Sequence, residues 1–524
     1  MLRWYHGLDT EHKVRSHLSY SLQYNFPKIV REKFGTKSNS QIREDKNMNG
    51  TEEQKQIWNE MENGTDHMMV YAGAGTGKTY TIVEGAKLVG GKKGFLAFNK
   101  SIANELQERL PDDCDAMTFH SLGYSAVRKV SRRCRMDGRK TYNIVKTIMG
   151  ADYASVNQLV KLISQLKNSM ADWEDRQAIE NILERFDIEF DGVVDKQEAI
   201  QLLPVMKNMC RDASTVDFDD MVWLPVELNL PVNHYDVVFV DEAQDFNEVQ
   251  RRLILKACNG GRMIVVGDPK QAIYGFRGAD SASMDIFKRE LENSSRGVMN
   301  YTLSITWRCP SMVVDEAKRF FSDYHARDDA PIGTVATNVP FVPVVGDLVL
   351  CRVNAPLVGE CLRLISRGIR AKVLGREIGK GLEALVKKVT ADKSMPIATF
   401  LPKFDEFVTN QRQHLINQDK ERMVRGLNDK SDCIKALLGN ATTVKGLIQN
   451  IEEVFKDKRG ACVTFSTIHK AKGLEANNVW ILKPDLMPHP MAKSQDDRQQ
   501  ERNLCYVAIT RAKVSLNYVG ERIG

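Results

Sequence analysis

Lys78 and Thr79 close a run of small residues, Ala72-Gly73-Ala74-Gly75-Thr76-Gly77. Glycines at alternate positions let backbone N–H groups turn toward one point, and a helix starting there adds the positive end of its dipole. Such a loop is built to cradle phosphates, with Lys78 reaching the outer phosphates and Thr79 holding Mg²⁺; Ala72 stands where the pattern usually has its first glycine. Further along, four apolar residues from Val237 to Val240 deliver Asp241 and Glu242 to a strand end. An isolated Asp-Glu would read as a helix cap. Behind a phosphate loop it reads as chemistry, with Asp241 on the hydrated cation and Glu242 orienting and deprotonating a water. Arg308, in Thr306-Trp307-Arg308, and Arg511, in the stretch from Tyr506 to Lys513, are candidates for clamping phosphoryl oxygens in the transition state. The ordinary alternative is a surface arginine. Both lie far from the phosphate loop in sequence, so if they reach one nucleotide a cleft must close, and a chemical step becomes a mechanical one.

The elements around these residues follow one pattern. Met68–Tyr71, Gly94–Phe98, Tyr235–Val240 and Arg262–Val266 are apolar runs of buried parallel-strand character, each ending where a motif begins. The predicted fold class is therefore α/β, with ligands beyond the carboxyl ends of the strands. Residues 1–47 are polar and mixed in charge; a disordered leader, a small helical appendage and an upstream start codon wrongly included are all open for them. The first sheet domain is expected over 48–123 and 216–300, interrupted by a helical insertion at 124–215. A second strand-rich domain is expected over 301–375 and 460–524, interrupted by a short helical insertion at 376–459.

The chain has 524 residues, 27% of them charged, and a net charge of +6, so local charge rather than the total must decide whether a polyanion binds. The densest run, Arg128 to Lys140, reads equally as a solvated helix face or a nucleic-acid contact. Ten singly scattered cysteines, with no Cys-x-x-Cys pair, argue against zinc and iron–sulfur sites and for free thiols in a reducing cytoplasm. No apolar run reaches the ~18 residues a membrane span needs.

In order along the chain, these motifs resemble those of the UvrD/Rep-type superfamily 1 DNA helicases, from about Thr51 to Val519 apart from the insertions. The resemblance implies two tandem RecA-like P-loop domains with ATP and Mg²⁺ between them. It makes Gln54 the adenine-reading glutamine, Gln271 a sensor of the γ-phosphate, and Glu475 a further nucleotide contact. It implies that Phe98, Asn99, Thr118, Phe119, His120, Tyr274, Phe276, Arg277 and His469 meet DNA. Stacking of bases on aromatics is worth about 1–3 kcal/mol per base, although each of Phe98, Phe119, Tyr274 and Phe276 taken singly also suits a core. Phe276 stands where relatives usually have tryptophan, and Trp307 replaces a tyrosine and could stack on adenine. The second insertion is short for the family, and neither a C-terminal nuclease nor an N-terminal F-box is expected. The implied activity is ATP-driven 3′→5′ translocation by a monomer on single-stranded and forked DNA, with unwinding, in replication, repair or recombination. A protein-displacing translocase and a nucleotide-gated binding module are the alternatives, and RNA as a substrate stays open. The expected compartment is the cytoplasm, at a nucleoid or in a phage's host.

Overall fold

The computed structural model describes residues 50–97, 100–150, 153–186, 188, 190, 196–273, 282–417, 421–457, 460–490, 492 and 494–524. The expectations for residues 1–47 and for Phe98, Asn99, Tyr274, Phe276 and Arg277 lie outside the described residues.

Helix α1 (Glu52–Asn63) leads into β1 (His67–Ala72), whose side chains are buried on both faces apart from the partly exposed Tyr71, and then through the glycine loop into α2 (Lys78–Ala86). The chain continues through β2 (Lys93–Ala97), α3 (Lys100–Arg109), β3 (Cys114–Thr118) and α4 (Phe119–Val130). It then enters a helical stretch: α5 (Lys140–Met149), α6 (Tyr153–Asn168), α7 (Arg176–Arg185), α8 (Lys196–Gln201), α9 (Leu203–Cys210) and α10 (Phe218–Glu227). Two short strands, β4 (Arg135–Met136) and β5 (Thr215–Val216), pair across the neck of this stretch. The stretch shares one apolar core with the sheet, in which Leu159, Trp173 and Met206 join Leu96, Val240 and Val265. A buried ionic cluster adds to it: Asp220 takes the ammonium groups of Lys140 (2.7 Å) and Lys167 (2.8 Å), and Thr141 hydrogen-bonds Asp217. Burial alone would lower the Lys167 pKa, but Asp220 and Asp217 outweigh it and hold the ammonium charged.

After β6 (Val237–Val240), α11 (Glu248–Cys258), β7 (Arg262–Gly267) and α12 (Ser283–Glu292), strand β8 (Val298–Leu303) completes a six-stranded sheet in the order β3-β2-β6-β7-β1-β8. Every pairing in it is parallel. The carboxyl ends of β6, β7 and β1 therefore lie side by side on one edge, and these are the ends that carry Asp241, Asp268 and the glycine loop. The expected boundary at residue 300 is corrected here. Tyr301 pairs with Val70 as part of β8, so residues 301–303 finish the first sheet. The reason is that β1, with the loop at its end, needs a neighbour on each side, and one continuous run supplies it.

A short parallel pair, β9 (Ile305–Thr306) and β10 (His325–Ala326), flanks α13 (Ser311–Lys318). The second sheet is built from β11 (Thr334–Ala336), β12 (Leu348–Cys351), β13 (Ala371–Val373), β14 (Val463–Thr467), β15 (Ala476–Leu482) and β16 (Ala512–Val519). Its order is β11-β16-β15-β12-β14-β13, again parallel throughout. Helix α14 (Ala355–Ser366) joins β12 to β13, and between β13 and β14 come α15 (Arg376–Val389), α16 (Ile397–Ile416), α17 (Glu421–Ala436) and α18 (Val444–Phe455). These pack Phe400, Leu447 and Ile451 against Val349 and Phe465 of the sheet. Helix α19 (Gln495–Ile509) covers the other face, in a cluster that also takes in Ala74 and Ile273 from the first half of the chain. The two sheets thus meet at the glycine loop. Among the described residues no helix is long and apolar enough to cross a membrane.

Candidate active site

The loop between β1 and α2 is tight because two of its glycines take left-handed backbone conformations that other residues rarely adopt, Gly75 at φ 68° and Gly77 at φ 82°. Thr76 ties it internally, its hydroxyl donating to the Gly73 carbonyl at 3.0 Å. The segment Thr306–Arg308 lies directly against it: Trp307 N–H donates to the Gly75 carbonyl at 2.8 Å, and a Cβ on Gly75 would sit 2.6 Å from Arg308 Cβ. Trp307 is 43% exposed, with the Arg327 guanidinium 4.6 Å from its ring centre. Gln54 is buried behind the loop; its amide donates to Thr81 Oγ1 at 2.9 Å and lies close to Gly77. The loop amides at the start of α2, the Lys78 ammonium and an open indole beside them form a donor set that fits a nucleoside triphosphate.

The acidic side is set by β6. Thr79 Oγ1 donates to Asp241 Oδ2 at 2.8 Å, so the two groups expected to share Mg²⁺ already touch. A hydroxyl and a carboxylate offer hard oxygen ligands that suit this ion when phosphate oxygens and water complete its shell. Glu242 sits in the left-handed region at φ 56°, a strained backbone for a side-chain-bearing residue. Gln244 holds it in place, donating to Glu242 Oε2 at 2.5 Å while its own oxygen accepts from Asp268 N–H at 2.9 Å. Burial and the adjacent Glu242 charge push Asp241 up to about 6. Burial would raise Glu242 too, but Lys78, Lys472 and Arg511 together with the Gln244 amide bring it down to about 2. Glu242 is therefore a carboxylate throughout the neutral range.

The second half of the chain closes over this edge. Arg511 is almost wholly buried; it donates to Gln271 Oε1 and to the Leu474 carbonyl, each at 3.3 Å, and to the Val507 carbonyl at 2.9 Å. Gln271 in turn donates to Asp268 at 2.6 Å. Burial and the neighbouring Arg308 lower the Arg511 pKa to about 10. Arg308 pairs with Glu475 at 2.6 Å and reaches the Thr510 carbonyl at 3.3 Å; Glu475 also pairs with Lys513. Lys78, Asp241, Glu242, Gln271, Arg308, Glu475 and Arg511 are thus gathered from both halves around one edge.

Three groups here escape a reading of the sequence. Lys472 bridges both carboxylate oxygens of Asp245, at 2.6 and 2.8 Å, and the Gln271 carbonyl at 2.7 Å. Asn503 donates to the Ala272 carbonyl at 2.9 Å. Tyr324 and Tyr506 hold Ala74. Lys472, Asp245 and Tyr506 do lie within motif-bearing stretches, but no local pattern pairs residues more than two hundred positions apart.

Among the residues expected to meet DNA, one is corrected. Phe119 is 2% exposed and packs edge-to-face on Phe246 with ring centres 4.8 Å apart, so it is a core residue. At the first turn of a helix laid on the sheet, its side chain faces inward. Thr118 caps α4, with its hydroxyl accepting from Ser121 N–H at 3.2 Å. His120 is exposed and meets Phe218 edge-on. Phe218 itself is 56% exposed at the first turn of α10, an open ring the sequence reading passed over. His469 is partly buried on the turn after β14.

Comparison with known proteins adds to this geometry. The UvrD/REP helicase N-terminal domain matches residues 51–292, and the UvrD-like helicase C-terminal domain matches residues 364–519. The chain is similar to F-box DNA helicase 1 of Gallus gallus, 24% identical over 509 residues that cover 89% of this chain and 48% of that protein. It is similar to F-box DNA helicase protein 1 of Schizosaccharomyces pombe, 24% identical over 520 residues, covering 89% and 57%. ATP-dependent DNA helicase PcrA of Staphylococcus aureus (strain Mu50) is 23% identical over 603 residues, covering 85% of this chain and 80% of that one. The chain thus spans about half the length of the F-box helicases it matches. With both family domains matched in order, and with Arg511 of the second bonded to Gln271 of the first, the chain belongs to the UvrD/Rep-type superfamily 1 helicases.

Proposed function

We propose that this chain is an ATP-dependent DNA helicase that translocates 3′→5′ on single-stranded DNA and unwinds duplex, in replication, repair or recombination. The observation that carries this is the contact of Arg511 with Gln271, together with that of Lys472 with Asp245, because each ties the second half of the chain to the catalytic edge of the first. When bound, Mg²⁺-ATP supplies the phosphoanhydride whose hydrolysis drives the cycle. Lys78 and the amides of Gly75 through Thr79 would hold the phosphates, Thr79 and Asp241 would hold the metal, and Trp307 would offer its open face to the adenine. Glu242 orients a water and accepts its proton, while Arg308 and Arg511 neutralise charge that grows on the phosphoryl oxygens. Gln271 stands between Arg511 and Asp268, so a change at the phosphates is passed to both halves and the halves shift against each other. Action as a monomer is part of this proposal. Phe218 and His120 offer an open surface on which an unpaired base can stack.

The test is the ATPase rate measured in parallel with single-stranded DNA, duplex DNA and RNA, beside unwinding of duplexes with a 3′ or a 5′ tail. Stimulation by single-stranded DNA and unwinding from the 3′ tail alone are expected. ATPase without unwinding, but with displacement of a bound protein, would replace the helicase by a protein-stripping translocase. Absence of DNA-stimulated turnover would leave only a nucleotide-gated binding module.

A further inference from the structure

Ala74, the third residue of the phosphate loop, is fully buried, and both of its backbone polar groups are held by the other half of the chain. Its N–H donates to the Tyr506 hydroxyl at 2.9 Å, and its carbonyl accepts from the Tyr324 hydroxyl at 2.8 Å. Both tyrosines are wholly buried; their rings meet edge-to-face with centres 5.5 Å apart, and Phe321 packs edge-on against Tyr506 at 5.2 Å. The Tyr324 ring also backs the loop one residue earlier, 3.0 Å from where a Cβ on Gly73 would sit. Two phenols thus hold one residue of the loop on both sides, in a cluster that also draws on α13, α19 and the second sheet.

Tyr506 lies near the end of α19, five positions before Arg511. Its carbonyl accepts from Thr510 N–H at 3.0 Å and from Thr510 Oγ1 at 2.8 Å, and Arg511 Nε donates to Val507 at 2.9 Å. The anchor on the loop and the buried guanidinium are therefore parts of one hydrogen-bonded helix end. A shift of one carries the other with it. The bonds to Ala74 leave the amides of Gly75 through Thr79 for phosphate.

We infer that Tyr506, supported by Tyr324, is a positioning residue: it ties the phosphate loop to the helix end that bears Arg511, so that the guanidinium meets the cradle in one register. This rests on the reading of the chain as an ATPase. Because the phenols touch the loop outside its phosphate-facing amides, they act on turnover and leave ground-state nucleotide binding nearly unchanged.

Tyr506→Phe and Tyr324→Phe remove one hydroxyl each and keep the rings. Four quantities would be measured on each: kcat for ATP with single-stranded DNA, affinity for a fluorescent ADP analogue, melting temperature, and hydrogen exchange of the peptide spanning Gly73–Thr79. Leaving a buried N–H unpaired in Tyr506→Phe is expected to lower kcat by about fivefold or more. ADP affinity should stay within roughly twofold and exchange at the loop should rise. The melting temperature should fall by only a few degrees. Tyr324→Phe keeps the ring contact with Tyr506 and, of the two bonds to Ala74, loses only that to the carbonyl, so it should lower kcat less. In an Arg511→Ala background the Tyr506→Phe effect on kcat should largely disappear, because its route has been removed.

An undiminished kcat in Tyr506→Phe, or an equal further loss in the Arg511→Ala background, would overturn the inference. If Tyr506→Phe melts too low to assay, an unchanged loop exchange and kcat in Tyr324→Phe would overturn it instead. A wild-type protein without ATP turnover defeats the ATPase reading, whereas turnover in the wild type with an indifferent Tyr506→Phe defeats this inference alone.

Discussion

Phe119, which the resemblance places on DNA, is buried, whereas Phe218, to which the sequence assigns no role, is open, and two alanine substitutions measure the difference. Phe119 is 2% exposed and stands edge-on to Phe246. Truncating a ring so placed costs about 3–5 kcal/mol, of which the ring pair itself accounts for roughly 0.5–1.5 kcal/mol. In the domain that contains it, this corresponds to a fall in melting temperature on the order of 6–20 °C. Phe218 is 56% exposed, so Phe218→Ala should change stability by no more than about 0.5 kcal/mol. If a base stacks on it, its loss weakens single-strand binding by about 1–3 kcal/mol, a rise in Kd of roughly 5- to 150-fold. The assay is thermal unfolding beside fluorescence anisotropy of a labelled oligothymidylate at one fixed salt concentration, since phosphate contacts alone make affinity salt-dependent. Wild-type affinity in Phe218→Ala would refute the stacking surface. Wild-type melting with lost affinity in Phe119→Ala would show that the buried ring is a base platform after all.

Other expectations follow from the same geometry. Lys78→Ala should abolish ATP turnover, whereas Glu242→Gln should keep nucleotide affinity and lose hydrolysis; normal single-turnover kinetics in Glu242→Gln would remove it as the base. Arg511→Lys should lower kcat by roughly a thousandfold, because a point charge lacks the fork that reaches Gln271 and the Leu474 carbonyl together, and wild-type kcat would make the residue structural. Gly75→Ala forces a side chain into a left-handed backbone, at about 1–2 kcal/mol, and drives it against Arg308 Cβ; steady-state ATPase should fall, and full activity would show that the Trp307–Arg308 segment moves freely. Asp220→Ala removes the nearest countercharge of the buried Lys140 and Lys167 ammonium groups, so the urea midpoint should drop by the equivalent of about 3–5 kcal/mol, and an unchanged midpoint would mean that the cluster is hydrated.

Chemistry that sits within a dozen residues is legible in the chain because strand, loop and helix are local. Ala72 to Thr79 follows an apolar run and opens a helix, and the structure has β1 ending at Ala72 and α2 beginning at Lys78. Val237–Val240 ending in Asp241 and Glu242 has the same quality, since a run buried on both faces of a parallel sheet has a composition of its own. Burial of a single aromatic has no such signature. Phe119 and Phe218 each open a helix just after a strand and a capping residue, Thr118 or Asp217, and only the side of the helix that meets the sheet separates core from open surface. The limit of the first sheet is of the same kind: nothing near Tyr301 announces that β8 pairs with β1 more than two hundred residues earlier. Pairings across the cleft span similar or longer distances along the chain. Lys472 with Asp245, Arg511 with Gln271, and the two phenols on Ala74 each join residues whose separation along the chain carries no energy until both sheets have formed. Local pattern encodes backbone conformation and the groups each motif offers, whereas burial, partner and register arise from packing the two halves together, and it is that packing which turns a phosphate loop and a distant arginine into one site.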